Sequence, residues 1–162
     1  MPRNKVVDRD FGYKQVIKTL TGIPVVLEAG FLEGISSADA IFRSYVNELG
    51  LKERPRRAHV APAFDMHLNR LRSKIPREIA KLLTSGVSKK DAHLEVMAEV
   101  GELLIEQIRE NILKMRSPQN AESTVRKKGF DDPLVETGHM ADEPAYRLRD
   151  RRGRFLGQGK VK

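Results

Sequence analysis

Between Ser88 and Pro118 the sequence leaves little freedom of conformation. Val96, Val100, Leu104, Ile108 and Ile112 recur at every fourth position, with Met97, Leu103 and Ile105 beside them, and no proline intervenes before Pro118. That period puts the apolar side chains on one stripe of an α-helix. Ser88-Lys89-Lys90-Asp91 reads as a capping box with aspartate where glutamate is usual. A helix over about 88–115 is roughly 40 Å long at 1.5 Å per residue. So long a rod in a chain of 162 residues predicts packing against neighbours in an assembly as well as against its own core.

The rest of the chain is less regular. Asp10 to Leu20 reads as a short helix, with Phe11, Val16, Ile17 and Leu20 near one face. Pro24 to Leu32 is rich in β-formers, and Gly30 marks a bulge or a close backbone approach. Ala40 to Leu49 fits a short helix or the second strand of a hairpin, and the spacing of Ile41, Tyr45, Val46 and Leu49 favours the helix. Gly50 ends it. Lys52 to Arg57 is a basic loop, since Pro55 forbids regular pairing. From Ala61 a helix begins, and Met66, Leu68, Leu71, Ile75, Ile79, Leu82 and Leu83 form its stripe through Asp65–Leu83. Pro76 inside that stripe predicts a kink or a two-part helix. Residues 117–140, with Pro118, Gly129, Pro133 and Gly138, read as irregular, either a linker or a segment ordered on a partner. Tyr146-Arg147-Leu148 and Arg151 to Leu156 form a possible hairpin turning near Arg152-Gly153.

The length is a prior for one domain. No apolar run approaches the roughly 20 residues of a membrane-spanning helix, so no membrane partner is expected. The absence of cysteine removes disulfides, thiolate zinc sites and a cysteine nucleophile, and fits folding in a reducing cytosol. The first residues, Met1 to Lys5, do not lead into an apolar signal core, so secretion by signal peptide is not expected.

The net charge is +8, and its distribution is uneven. Residues 144–162 carry Arg147, Arg149, Arg151, Arg152, Arg154, Lys160 and Lys162 against Asp150 alone. The preceding residues are nearly neutral, so the C-terminus reads as a basic arm. Its glycines argue against reading base edges. Contact with phosphates and docking on an acidic protein partner are both open to it. On the long helix, Glu95, Glu99, Glu102, Glu106 and Glu110 form an acidic stripe. It reads as a solvated face or, more sharply, as the wall of a channel that keeps DNA from sticking.

Chemistry on a substrate finds no support. His59, His67, His93 and His139 show no metal-ligand spacing and read as ordinary surface or loop histidines. There is no Gly-x-Ser-x-Gly elbow, no phosphate-cradling glycine loop, and no paired carboxylates in an apolar setting. The expectation is no enzyme, no cofactor and no metal.

Several stretches resemble the neck and tail-completion (head–tail joining) proteins of tailed bacteriophages, which have a tail-terminator-like fold. The most specific is Ser117-Pro118, then Ser123-Thr124-Val125-Arg126-Lys127-Lys128-Gly129, then Asp132-Pro133-Leu134-Val135-Glu136-Thr137-Gly138-His139-Met140. It looks like that family's Thr-x-x-x-Lys-Gly and Pro-Leu-Val-Asp-Thr-Gly-x-Met segment, with Glu136 in place of aspartate. Gly30-Phe31-Leu32 matches an early strand. Tyr45 to Gly50 matches an Asn/Gln-Glu-Phe-Gly stretch with Leu49 for phenylalanine. Arg57 to Phe64 matches an Arg-Pro-Phe-x-Arg-Pro-x-Phe stretch with Ala58-His59 for Pro-Phe. After Met140, Ala141 to Pro144 departs from the pattern.

The resemblance implies an α+β fold, an antiparallel β-sheet packed by helices, with one domain over 1–143 that includes the 117–140 loop. The basic arm or hairpin of 144–162 follows. It implies a structural virion protein at the head–tail junction, made in the host cytoplasm. Its partners would be copies of itself in a hexameric or dodecameric ring, portal/adaptor or collar proteins, tail terminator or tail tube and sheath proteins, and phage DNA passing non-specifically through the lumen. Subunit or layer contacts are expected at Pro133, Leu134, Val135, Thr137 and Gly138. Partner or DNA contacts are expected at Arg147, Arg149, Arg151, Arg152 and Arg154. The alternatives are a tail terminator capping the tube and a cytosolic nucleic-acid-binding module using the basic arm.

Overall fold

The long apolar stripe folds as anticipated. In the computed structural model, which describes residues 25–50, 54–134 and 139–161, a helix spans Lys89–Lys114. Ser88 caps it, its hydroxyl oxygen accepting from the Asp91 N–H at 3.2 Å while the hydroxyl proton goes to the Asp91 carboxylate at 2.6 Å. The described elements in chain order are β1 (Val25–Gly30), α1 (Ala38–Leu49), α2 (Ala61–Thr84), α3 (Lys89–Lys114), α4 (Glu122–Lys128), a 3-10 turn (His139–Asp142), β2 (Ala145–Asp150) and β3 (Phe155–Lys160). The helix expected over Asp10–Leu20 lies outside the described residues.

α3 is the axis of the fold. Its buried residues run from Ala92 to Ile112, so its whole length is used inside the chain. Packing on a neighbour is not needed to explain it. The N-terminal two thirds, Val96, Met97, Val100, Leu104 and Ile105, meet Leu71, Ile75 and Ile79 of α2 and Tyr146 and Leu148 of β2. The C-terminal third, Ile108 and Ile112, meets Ala63, Leu134, Met140 and Ala141 in a second cluster. Each fully buried Ile or Leu removed from water contributes about 1.5–3 kcal/mol.

α2 is one continuous helix from Ala61 to Thr84 with Pro76 inside it. The two-part helix expected from that proline does not occur. Ile75 and Ile79 on either side are both buried in the main core, and their packing carries the helix through the missing N–H. Of the two readings of 40–49, the helix holds: Ser37 caps it, and Gly50 ends it at φ 68.

The sheet has three antiparallel strands in the order β1-β2-β3. Val25 pairs with Asp150 and Gly30 with Ala145. The hairpin expected near Arg152-Gly153 forms β2 and β3, with a bulge between Leu148 and Arg149. Gly153 takes φ 78, and the Asp150 carboxylate accepts from the N–H groups of Arg152 and Arg154. Residues 145–160 are therefore strands of the sheet and not a free arm. Alternation puts Val25, Leu27 and Ala29 with Tyr146 and Leu148 on the face toward α3.

Residues 117–134, expected to be irregular, contain α4 and are tied to the body. Arg57 donates to the carbonyls of Pro118 and Gln119 at 2.9 and 2.7 Å. Asn120 bonds the Asp131 carboxylate through its backbone and side-chain nitrogens. Arg116 pairs with Asp132 at 2.8 Å. α4 has no buried residue, so no apolar period announces it.

The Tyr146 ring, 6% exposed, lies between two glycines. A Cβ at Gly101 of α3 would fall 2.5 Å from its Cγ, and a Cβ at Gly159 of β3 would also meet the ring. The helix approaches the sheet this closely because both positions lack side chains. Gly101→Ala is expected to lower unfolding free energy by about 1–3 kcal/mol through overpacking. Gly157→Ala, with open space at its Cβ, is expected to change it by less than about 0.5 kcal/mol. Urea unfolding of both variants checks this.

Candidate functional site

Two features stand out among the described residues: a buried polar hub where α1, α2 and α3 meet, and a set of exposed apolar and charged surfaces.

The hub is built around Glu48 in the last turn of α1. The N-cap of α2, Val60, offers no side-chain acceptor. Glu48 supplies one instead. Its Oε2 accepts from the N–H of His59 and Val60 at 2.8 and 2.9 Å, and its Oε1 from Ala61 at 3.1 Å. A carboxylate at a helix N-terminus satisfies orphan donors and complements the dipole. His59 is 0% exposed. Its Nδ1 lies 3.0 Å from the Arg57 carbonyl and 3.4 Å from Glu48 Oε2, both acceptors. The network thus assigns the proton to Nδ1, leaving Nε2 to accept from the Ser44 hydroxyl at 2.9 Å. Asn111 of α3 closes the hub by donating to the His59 carbonyl at 2.9 Å.

Ser44, His59 and Glu48 thus stand in the order of a hydroxyl–imidazole–carboxylate relay. The chemistry of such a relay needs a hydroxyl that a substrate can reach. Ser44 and His59 are both buried, and both Glu48 oxygens are engaged by backbone N–H groups. What the arrangement does in this geometry is fix α1 to the start of α2. Burial pushes the Glu48 carboxyl up, but the N–H groups of Val60, His59 and Ala61 outweigh it and hold the group below its ordinary 4.5. Burial pushes the His59 imidazole below its ordinary 6.5, with the Arg57 carbonyl and Glu48 pulling the other way.

The histidines expected at surfaces or in loops divide. His59, His67 and His93 are buried, whereas His139 is exposed. His67 reaches Gln107 at 3.2 Å, and His93 bonds the Lys89 carbonyl. Each sits on an apolar face with a satisfied ring nitrogen. Among the described residues no three His, Asp or Glu side chains are grouped so that they could hold a metal ion. An open cleft of about 500 Å³ lies near the hairpin turn, lined by Val25, Lys90, Asp150, Arg154, Phe155 and Leu156, away from the hub.

The residues singled out by sequence are scattered. Pro133 is buried, and Leu134 packs with Ile108 and Ile112. Both side chains are buried in the subunit, Leu134 in the second core. Val135, Thr137 and Gly138 lie outside the described residues. Arg147 and Arg149 flank Glu28 at 3.9 and 3.3 Å on the outer face of the sheet, and Arg147 also bonds the Glu33 carbonyl. Arg154 is paired with Asp150. Arg151 and Arg152 are exposed at the turn. Glu95, Glu99, Glu102, Glu106 and Glu110 are all exposed.

Sequence reasoning missed the apolar surfaces. On α1, Phe42, Tyr45 and Leu49 are 62, 57 and 52% exposed. Their spacing of three and four puts them on one face, away from buried Ala40 and Ser44. On the sheet, Val26 and Phe155 are exposed on the side away from α3. A second apolar face on a short helix was the available signal, but it is masked by the first, since Tyr45 and Val46 are adjacent in sequence.

No protein-family model matches this chain, and no curated protein or solved structure is similar to it. Residues 45–50, residues 57–64 and the start of residues 117–140 adjoin in the fold. Glu48 from the first bonds His59, Val60 and Ala61 from the second, and Arg57 from the second holds Pro118 and Gln119 of the third.

The hub contributes to the acid stability. Lowered values mean that the unfolded chain binds protons more readily than the folded one. The His59 contribution is full above pH 6.5 and is lost as pH falls below it. The Glu48 contribution is present above 4.5 and is lost below. The melting temperature is expected to fall in two stages on acidification, and His59→Gln to flatten the upper stage. Glu48→Ala, which strands three N–H groups, is expected to lower unfolding free energy by roughly 2–3 kcal/mol at neutral pH. Calorimetry across pH checks both.

Proposed function

We propose that this chain is a non-enzymatic structural protein of a tailed-phage virion, forming a ring in the neck that joins head to tail and continues the DNA channel. The observation that carries the reading is the exposed apolar face of α1. A helix fixed rigidly by the Glu48 hub presents Phe42, Tyr45 and Leu49 to solvent. Large apolar side chains grouped on one exposed face mark a protein–protein contact. Val26 and Phe155 provide a second such surface, on the sheet. A subunit of a closed ring needs two different faces, one for each neighbour.

Three of the four resembling stretches, residues 45–50, residues 57–64 and the start of residues 117–140, adjoin at or beside the hub, which supports the same reading. In the proposed ring the buried Ser44-His59-Glu48 network serves as scaffold. The segments first read as arms lie on the subunit's own body over their described residues. Contact between copies would then run through preformed surfaces rather than through swapped segments. The exposed glutamates of α3 and the exposed arginines of the hairpin turn are the two candidates for facing the channel. A tail terminator that caps the tube uses the same two-faced subunit.

Purified protein, alone and mixed with the portal/adaptor and tail-tube proteins of its particle, is expected to form closed rings in negative-stain electron microscopy. Persistent monomers in both settings would overturn the reading. Phe42→Asp combined with Tyr45→Ser is expected to abolish rings while leaving the melting temperature close to that of the parent chain. Duplex DNA binding by the free chain is expected to be weak. A tight complex with a steep salt slope would favour the nucleic-acid-binding alternative instead.

A further inference from the structure

α2 and α3 carry rows of opposite charge with the same spacing. Arg70, Lys74, Arg77 and Lys81 follow one another at intervals of four, three and four, and so do Glu95, Glu99, Glu102 and Glu106. Such intervals keep side chains on one helical face. Each row is therefore straight and about 16 Å long at 1.5 Å per residue. Both rows lie off the buried faces. Arg70, Arg77 and Lys81 are exposed and Lys74 is half-buried, while the four glutamates are exposed opposite the buried Val96, Val100 and Leu104.

The two helices pack together, yet among the described residues no ion pair joins the rows. Lys81 pairs with Glu78 of its own helix at 3.0 Å, and Glu106 with Arg109 of its own helix at 3.8 Å. Neither row is neutralised by the other within the chain. A symmetric contact setting α2 on α2, or α3 on α3, would oppose like charges.

We propose that the cationic row of α2 in one copy docks along the anionic row of α3 in the next copy, as the head-to-tail contact of the assembly. This rests on the ring reading above and names its interface. The intervals four, three, four read the same in either direction, so the rows match whether the two helices run parallel or antiparallel. Charge sets register and partner choice, and the apolar surfaces supply buried area.

Reciprocal charge reversal in the full chain, followed by analytical ultracentrifugation, tests this. Arg70→Glu with Lys81→Glu, or Glu95→Lys with Glu106→Lys, reverses the two ends of one row, which face the two ends of the other in either helix direction, and each pair is expected to abolish self-association with the melting curve unchanged. All four substitutions in one chain exchange the signs and are expected to restore it. Raising NaCl from about 50 to about 500 mM is expected to weaken association of the parent chain about tenfold, as for a few surface pairs. If both reversed chains associate like the parent, the proposed contact is overturned and the ring reading stands. Loss without rescue in the combined chain also overturns it, because each row then meets something other than its counterpart. A parent chain that stays monomeric at every salt concentration, alone and with its neighbours, overturns both.

Discussion

The continuous apolar face of α3 is the surface on which α2, the sheet and the 3-10 turn are laid. It is long enough to hold two clusters end to end. One is shared with α2 and the sheet, and the other with the start of α2, Leu134 and the turn at Met140. Because one rigid helix spans both, displacement in one cluster is felt in the other, as expected of interiors packed to crystal density. The sheet contributes little area of its own, with three short strands. Its place on α3 is fixed by the close approach at Tyr146, where two glycines make room for one ring.

The polar hub solves a different problem. α2 begins without a capping side chain, and its first N–H groups point toward the end of α1. An unpaired buried N–H costs about as much as a lost hydrogen bond, and often more. Glu48 answers with a charged acceptor that takes three such groups. A half-buried carboxylate is tolerable because its oxygens are filled, and the imidazole beside it is pushed toward its neutral form by burial, against the pull of the Arg57 carbonyl and Glu48 on its ring proton. The result holds α1 rigidly, and α1 is the helix that carries Phe42, Tyr45 and Leu49 outward.

Much of the architecture was legible in the sequence. α3 declared itself through a four-residue period over its whole length, the cap at Ser88 through residue type, and the hairpin through Arg152-Gly153 between two apolar-polar stretches. The α+β class follows from these elements. What was not legible depends on contacts distant in sequence. Pro76 predicted a break, but burial of Ile75 and Ile79 overrode it. α4 has no apolar face to detect. His59 reads as one histidine in a basic loop until Ser44, Glu48 and Asn111 surround it. The exposed face of α1 is hidden in the sequence because its apolar residues interleave with those of the buried face. The motif around Pro133 and Leu134 does not say which way their side chains turn, and both are buried in the subunit.

The register of the sheet sets an order of events during synthesis. α2 and α3 are joined by a short turn and can pair as soon as both have left the ribosome, a contact of low sequence separation that forms quickly. β1 is made before either, yet its described partner is β2, which follows α4 and the 3-10 turn. Until residues 145–150 emerge, Val25 to Gly30 is a strand waiting with its backbone groups unpaired. A nascent chain stalled short of that point carries β1 with both edges open, of the kind that recruits other strands, so the emergence of β2 is the step that covers one of them.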